Sequence, residues 1–119
     1  MLRRSILFFG LLTLAVVFAY AQEKKQAQIT GFLIDNMCAS GKDSKDKEHK
    51  VSCALMPACQ KSGYAVVAKD TLYKLDENGN KLALDILKNT KTKKGLAVQV
   101  KGTVTEDMLY VDSMTEVLP

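Results

Sequence analysis

The chain has 119 residues, of which 47% are hydrophobic, and a formal net charge of +4. This length fits one domain with a modest core. Both arginines, Arg3 and Arg4, lie at the N-terminus, so the rest of the chain has a net charge of only +2 and contains neither Arg nor Trp. A nucleic-acid partner is therefore not expected, because the positive charge is small and there is no arginine to bind phosphate groups.

The first 21 residues have the pattern of a bacterial secretory signal peptide. Two arginines are followed by an apolar run, Ile6 to Phe18, and by an Ala19-Tyr20-Ala21 cleavage site. The run is shorter than the ~20 residues that a membrane span needs. We therefore expect cleavage before Gln22, an exported protein in the periplasm or outside the cell, and no stable membrane span.

The remaining chain is predicted to be a flexible leader at 22–27 and a single domain at 28–119. The predicted strands are 28–35, 64–69, 71–75, 96–104 and 108–117, and the predicted helices are 48–62 and 82–88, with a loop at 36–50 and a turn at 76–80 (DENGN). The clearest pattern is the alternation over 96–104, which places Val98 and Val100 in the core and Gln99 and Lys101 outside.

This order of elements predicts a mainly β (α+β) fold, a small five-stranded OB-like barrel. It has a helix–loop insertion after strand 1 and a short helix before strand 4. Gly31, inside the first strand, indicates a bulge or a close approach of two backbones.

The predicted helix at 48–62 carries an apolar stripe formed by Val51, Ala54, Leu55 and Ala58, spaced to face a core. Pro57 should kink this helix or start a new turn, and Gly63 should end it.

All three cysteines and the single histidine fall between residues 38 and 59. The pattern is C-x10-H-x3-C-x5-C, formed by Cys38, His49, Cys53 and Cys59. Three sulfur ligands and one nitrogen are a complete Cys3His set for a tetrahedral metal ion. In a helix, His49 and Cys53 would share one face, and the loop bearing Cys38 would cover them.

Four interpretations of this cluster remain open. It can bind Zn²⁺, or it can bind Cu(I), which soft sulfur ligands, including Met37 and Met56, favour. It can also be one structural disulfide with an odd thiol, or a redox pair, although no C-x-x-C motif is present.

Other polar and aromatic residues are interpreted as structural. Asp35 is predicted to be a turn or capping residue, and Tyr64, Tyr73 and Tyr110 are predicted to pack on the barrel. No Ser-His-Asp order, catalytic carboxylate pair or phosphate loop is found, so an enzyme is the least favoured of the functional classes.

The segments GFLIDNMC, HKVSCALMPACQKSGYAVV, LYKL and GLAVQVKGTV together resemble a family of small exported bacterial proteins of unknown function. The family pattern is G-x-x-x-D-x-x-C, a polar loop, an H-x3-C helix with a further cysteine, and a late V-x-V-x-G strand. The resemblance implies an OB-like barrel with a Cys/His insertion. In such proteins the last two cysteines often lie closer together than Cys53 and Cys59 do here.

The leading hypothesis is an exported domain that binds Zn or Cu through Cys38, His49, Cys53 and Cys59. The alternative is a disulfide-stapled interaction module with no metal and no catalysis, which would bind a protein or a glycan in the cell envelope.

Overall fold

The computed structural model describes residues 26–39 and 49–118. Its elements are β1 (Gln26–Asp35), α1 (Asn36–Ala39), α2 (Val51–Ala54), α3 (Pro57–Ser62), β2 (Tyr64–Ala68), β3 (Thr71–Leu75), α4 (Glu77–Asn89), β4 (Ala97–Thr105) and β5 (Met108–Glu116). The predicted signal peptide and residues 40–48 of the predicted loop lie outside this part of the chain. The first strand begins at Gln26, two residues before the predicted start.

The five strands form a closed barrel in the order β1-β2-β3-β5-β4. Strands β3 and β5 pair in parallel, and every other neighbouring pair, including the closing pair β1–β4, is antiparallel. The helices α1 to α3 lie between β1 and β2, and α4 lies between β3 and β4. The predicted OB-like barrel is therefore confirmed, with its insertion after the first strand and its helix before the fourth.

The interior of the barrel is filled by aliphatic side chains from alternating strand positions. Val98 and Val100 are completely buried, whereas Lys101 is exposed and Gln99 is half-buried. The register predicted for this strand is thus correct, since a shift by one residue would have exchanged the two faces.

Gly31 marks a close approach of two strands. A Cβ atom on this residue would lie 2.3 Å from the carbonyl oxygen of Val67 in β2. Only a residue without a side chain allows the backbones to come this close, as the sequence predicted.

The turn predicted at 76–80 is wrong, because these residues begin a helix. The Asp76 carboxylate accepts a hydrogen bond of 2.9 Å from the Gly79 N–H, which caps α4 at its N-terminus. The helix therefore spans Glu77–Asn89. It begins well before the predicted start at residue 82 and ends close to the predicted end at residue 88. The Asn78-Gly79 pair is the usual sign of a turn, and the capping aspartate outweighs it.

The helix predicted at 48–62 is two short helices. The first, α2, ends at Ala54, and Pro57 occupies the first turn of α3, where its missing N–H costs nothing. His49 and Lys50 precede the helix, and Ala58 is exposed rather than part of the apolar stripe. Gly63 ends α3 with a φ of 82°, as predicted.

None of the helices within the described ranges is both long and apolar enough to cross a membrane.

Candidate metal centre

The site begins at Asp35, the last residue of β1. Its side chain is completely buried, because Asp35 pairs with Tyr64 of β2 and the insertion folds over this end of both strands. One carboxylate oxygen, Oδ2, accepts a hydrogen bond of 3.0 Å from the Cys38 N–H and so starts α1. The expected capping role is present, but it uses only one of the two oxygens.

The second oxygen of Asp35 faces His49. The distance from His49 Nε2 to Asp35 Oδ1 is 2.9 Å, and the His49 side chain is only 4% exposed. The geometry does not satisfy a hydrogen bond, so both atoms are buried without a hydrogen-bond partner in the described part of the protein. Buried polar atoms without a partner are rare and call for an explanation.

The backbone on either side of His49 is fixed by the segment that leads into β4. The His49 carbonyl accepts a hydrogen bond from the Gly95 N–H, and the Val51 N–H donates one to the Lys93 carbonyl, each 2.9 Å long. These bonds hold the histidine against the barrel without a helix around it. His49 and Cys53 therefore do not share a helical face, contrary to the prediction.

Cys38 and Cys59 bring their thiols to the same carboxylate. Cys38 lies in α1 and is half-buried, whereas Cys59 lies in α3 and is 8% exposed. Both thiols are among the groups that lower the pKa of Asp35. The end of α3 is held in turn against the start of α1, since the Asn36 side chain donates to the Ser62 carbonyl at 2.8 Å.

One group of ligand atoms in the described chain is close enough to share a metal ion. Asp35, Cys38 and His49 each offer one such atom, and these three atoms lie within 4.8 Å of one another. Two of the four predicted ligands, Cys38 and His49, are therefore together. Cys59 and Cys53 lie outside this group, and the four-residue ligand set stays a prediction.

Cys53 is not part of the group of candidate ligand atoms. It is half-buried in α2, and its charge contributes to the raised pKa values of the Cys38 and Cys59 thiols. All three cysteines are free thiols in the structure.

The carboxyl group of Asp35 and the thiols of Cys38 and Cys59 shift one another's pKa values. Burial, followed by the neighbouring Asp35 carboxylate, raises the pKa of the Cys38 thiol to about 11. The same two causes raise the pKa of Cys59. Burial alone would raise the pKa of Asp35 too, but the hydrogen bonds from Cys38 and Cys59 and the charge of His49 together lower it.

Sequence reasoning missed Asp35 as a member of the site. Its available signal was the D-x-x-C spacing at the end of an apolar strand, GFLID followed by Cys38. An aspartate there is also a common helix cap, which is the interpretation that the pattern alone favours.

Comparisons with protein-family models, with curated proteins and with solved structures found no match. Function must therefore be argued from the cluster itself.

The donor set has a recognisable chemistry. A carboxylate oxygen, an imidazole nitrogen and a thiolate sulfur are the three side-chain donors that Zn²⁺ accepts. With Zn–N and Zn–O bonds of ~2.0–2.1 Å, neighbouring donors in a tetrahedral site lie about 3.3 Å apart. The 2.9 Å between His49 and Asp35 thus needs only a small adjustment.

Proposed function

We propose that this protein binds one Zn²⁺ ion through Asp35, Cys38 and His49, with Cys59 as the fourth donor. The observation that carries the proposal is the buried pair of polar atoms, Asp35 Oδ1 and His49 Nε2, which lie 2.9 Å apart without a hydrogen bond. One ligand atom from each of Asp35, His49 and Cys38 lies within 4.8 Å of the other two.

Charge supports a cation at this position. Asp35 and the thiolates of Cys38 and Cys59 repel one another when all are ionised, and this repulsion contributes to the raised thiol pKa values. A divalent ion among them would reverse the repulsion, and it would take over the oxygen and nitrogen lone pairs that have no other partner.

The mixed donors favour Zn²⁺ over Cu(I). Cu(I) prefers soft sulfur ligands, whereas this cluster offers a hard carboxylate and an imidazole beside its thiols. Met37 and Met56, whose thioethers could bind Cu(I), are 53% and 55% exposed. This exposure does not point to a metal ligand buried in the site.

The ion would act as a staple. Its donors come from the end of β1, from α1, from α3 and from the segment before α2, so it would tie the insertion to the barrel. Binding to the folded state alone stabilises it by RT ln(1 + [Zn]/Kd). A structural role agrees with the burial of Asp35 and His49, which leaves little room for a substrate.

A Zn²⁺ titration against a chromogenic chelator tests the proposal. The panel is wild type, Cys38→Ser, His49→Gln, Asp35→Asn, Cys59→Ser and Cys53→Ser. We expect each of the first four substitutions to weaken Zn²⁺ binding by at least about tenfold, the loss typical of a missing ligand or its direct support. Cys53→Ser is the matched control and should change the affinity by less than about threefold.

Three results would redirect the proposal. If Cys53→Ser loses Zn²⁺ as fully as Cys38→Ser while Asp35→Asn keeps it, the ligands are the Cys3His set. Preferential, stoichiometric loading with Cu(I) would change the metal. If the wild type binds no metal and shows one titratable thiol, the disulfide-stapled module is correct.

A further inference from the structure

A groove that none of the candidate metal ligands lines is present beside the barrel. A groove of about 530 Å³ runs between the start of α2, the last turns of α4 and the segment 90–94. None of Asp35, Cys38, His49, Cys53 and Cys59 lines it. Its volume is within the range of small-molecule sites.

The floor of the groove is aliphatic. It is formed by Val51, Leu55 and Leu87, of which Val51 and Leu87 are buried and Leu55 is half-buried. In the part of the chain that the structure describes, no aromatic side chain lines the groove, so these residues offer no platform on which a base or a sugar ring could stack.

The rim of the groove is basic. Four exposed lysines line it, namely Lys50, Lys88, Lys93 and Lys94, and no acidic residue among 26–39 and 49–118 does. Like charges gathered around an apolar cleft raise the local positive potential and attract an anion. The lysines are compact point charges, which suit a carboxylate without demanding the bidentate geometry that arginine imposes.

The segment that carries part of the rim is held in place. Glu116 accepts hydrogen bonds from the hydroxyls of Thr90 and Thr92 at 2.5 and 2.7 Å, which fixes the chain just after α4. Lys50 and Lys94 form an isolated β-bridge. A groove with fixed walls loses little entropy when it binds a ligand.

We propose that this groove binds a small amphipathic anion, an aliphatic chain that ends in a carboxylate, such as a medium-chain fatty acid. The aliphatic floor takes the chain and the lysine rim takes the carboxylate. The absence of aromatic residues from the described lining disfavours ring-bearing ligands. The inference uses none of the metal ligands and is independent of the proposed metal site.

The test is a titration of the ¹⁵N-labelled protein with sodium decanoate, kept below its micelle concentration and followed by NMR. We expect saturable shifts at Val51, Leu55 and Leu87, which locate the ligand in the groove and not at any other apolar segment. Acetate, which lacks the chain, and decan-1-ol, which lacks the charge, should both bind more weakly by about tenfold or more, because each loses one half of the contact.

Two double variants with the same change of charge complete the test. Lys88→Gln/Lys93→Gln should raise the Kd for decanoate by about fivefold, as expected for two partly exposed charge contacts. Lys74→Gln/Lys101→Gln changes two exposed lysines outside the groove and should alter the Kd by less than about twofold.

Several outcomes would overturn the inference. They are shifts that do not saturate or that fall elsewhere, an equal effect of the two double variants, and acetate binding as tightly as decanoate. Tighter binding of a short glutamate-rich peptide than of decanoate would also overturn it, since the occupant would then be an acidic protein segment.

Discussion

Asp35 is completely buried at the end of β1, and a buried carboxylate is costly unless its charge is compensated. The compensation comes from the Cys38 N–H, two thiols and His49. Asp35→Ala removes the partner of all of these groups. We expect a loss of about 3–5 kcal/mol in the free energy of unfolding, measured by denaturant titration in the presence of EDTA.

The control for this variant is Asp112→Ala, an exposed carboxylate on β5, which should cost about 0.5 kcal/mol or less. Equal losses in the two variants would mean that the contacts of Asp35 contribute nothing beyond an average surface charge.

Tyr64 is expected to make the stability of the fold depend on pH in the alkaline range. It is 1% exposed, and its hydroxyl donates a hydrogen bond of 2.9 Å to the Ala54 carbonyl in α2. Burial, followed by the negative charges of Asp35 and Cys59, raises the pKa of Tyr64 to about 12. A raised pKa stabilises the fold fully below the unfolded value near 10, and this stability is lost as the pH rises from about 10 to about 12.

Tyr64→Phe should therefore cost about 1–3 kcal/mol at neutral pH, because the Ala54 carbonyl loses its partner. It should also flatten the fall in stability above pH ~10. Tyr110→Phe, on a side chain that is 48% exposed, should do neither. Thermal unfolding of the three proteins across this pH range decides, and a steep alkaline loss that persists in Tyr64→Phe would contradict the assignment.

At the residue scale the sequence predicts the donors better than their geometry. The proximity of Cys38 and His49 is foreseeable, because all three cysteines and the histidine lie within 22 residues. That His49 meets Asp35 is not, since the contact depends on how residues 49–51 pair with 93–95. Tyr110 was predicted to pack on the barrel but is largely exposed, because strand β5 points alternate side chains outward.

At the scale of the elements, strand β4 offers the sharpest test of the fold. Val100 is completely buried and its neighbour Lys101 is exposed. Val100→Asp should destabilise the protein by several kcal/mol, ~3 or more, through a buried and unpaired charge. Lys101→Asp, the matched control, should cost ~0.5 kcal/mol or less. Similar costs in a urea titration would contradict the register.

Strands with clean alternation were predictable, and short helices were not. The pattern over 96–104 shows which side chains face the core, because a period of two allows only two registers. The start of α4 depends instead on capping by Asp76. The start of α2 depends on the backbone bonds to 93–95 that hold His49 and Lys50 outside the helix. Such contacts arise only after the chain has folded.

At the scale of the whole molecule, the order of strands and helices was enough to predict the barrel. Five strands with a helix between the third and the fourth close in the OB order without further information. The path of the insertion could not be predicted, because it depends on side-chain hydrogen bonds, from Asn36 to the Ser62 carbonyl and from Tyr64 to the Ala54 carbonyl, rather than on a periodic pattern.

Export remains a prediction that a mass measurement can test. Arg3 and Arg4, the apolar run and Ala19-Tyr20-Ala21 predict a mature N-terminus at Gln22. We expect the intact mass of protein from the envelope fraction to correspond to residues 22–119. Retention of residues 1–21 would contradict cleavage and support a membrane anchor.

X-ray absorption at the zinc edge is the most direct test for a metal ion at Asp35, Cys38 and His49. For protein loaded with one equivalent of Zn²⁺, we predict four ligands, with two sulfurs at ~2.3 Å and two nitrogen or oxygen atoms at ~2.0–2.1 Å. A six-coordinate shell of oxygen and nitrogen alone would contradict the claim, because it would show an ion held on the surface and not by the thiols.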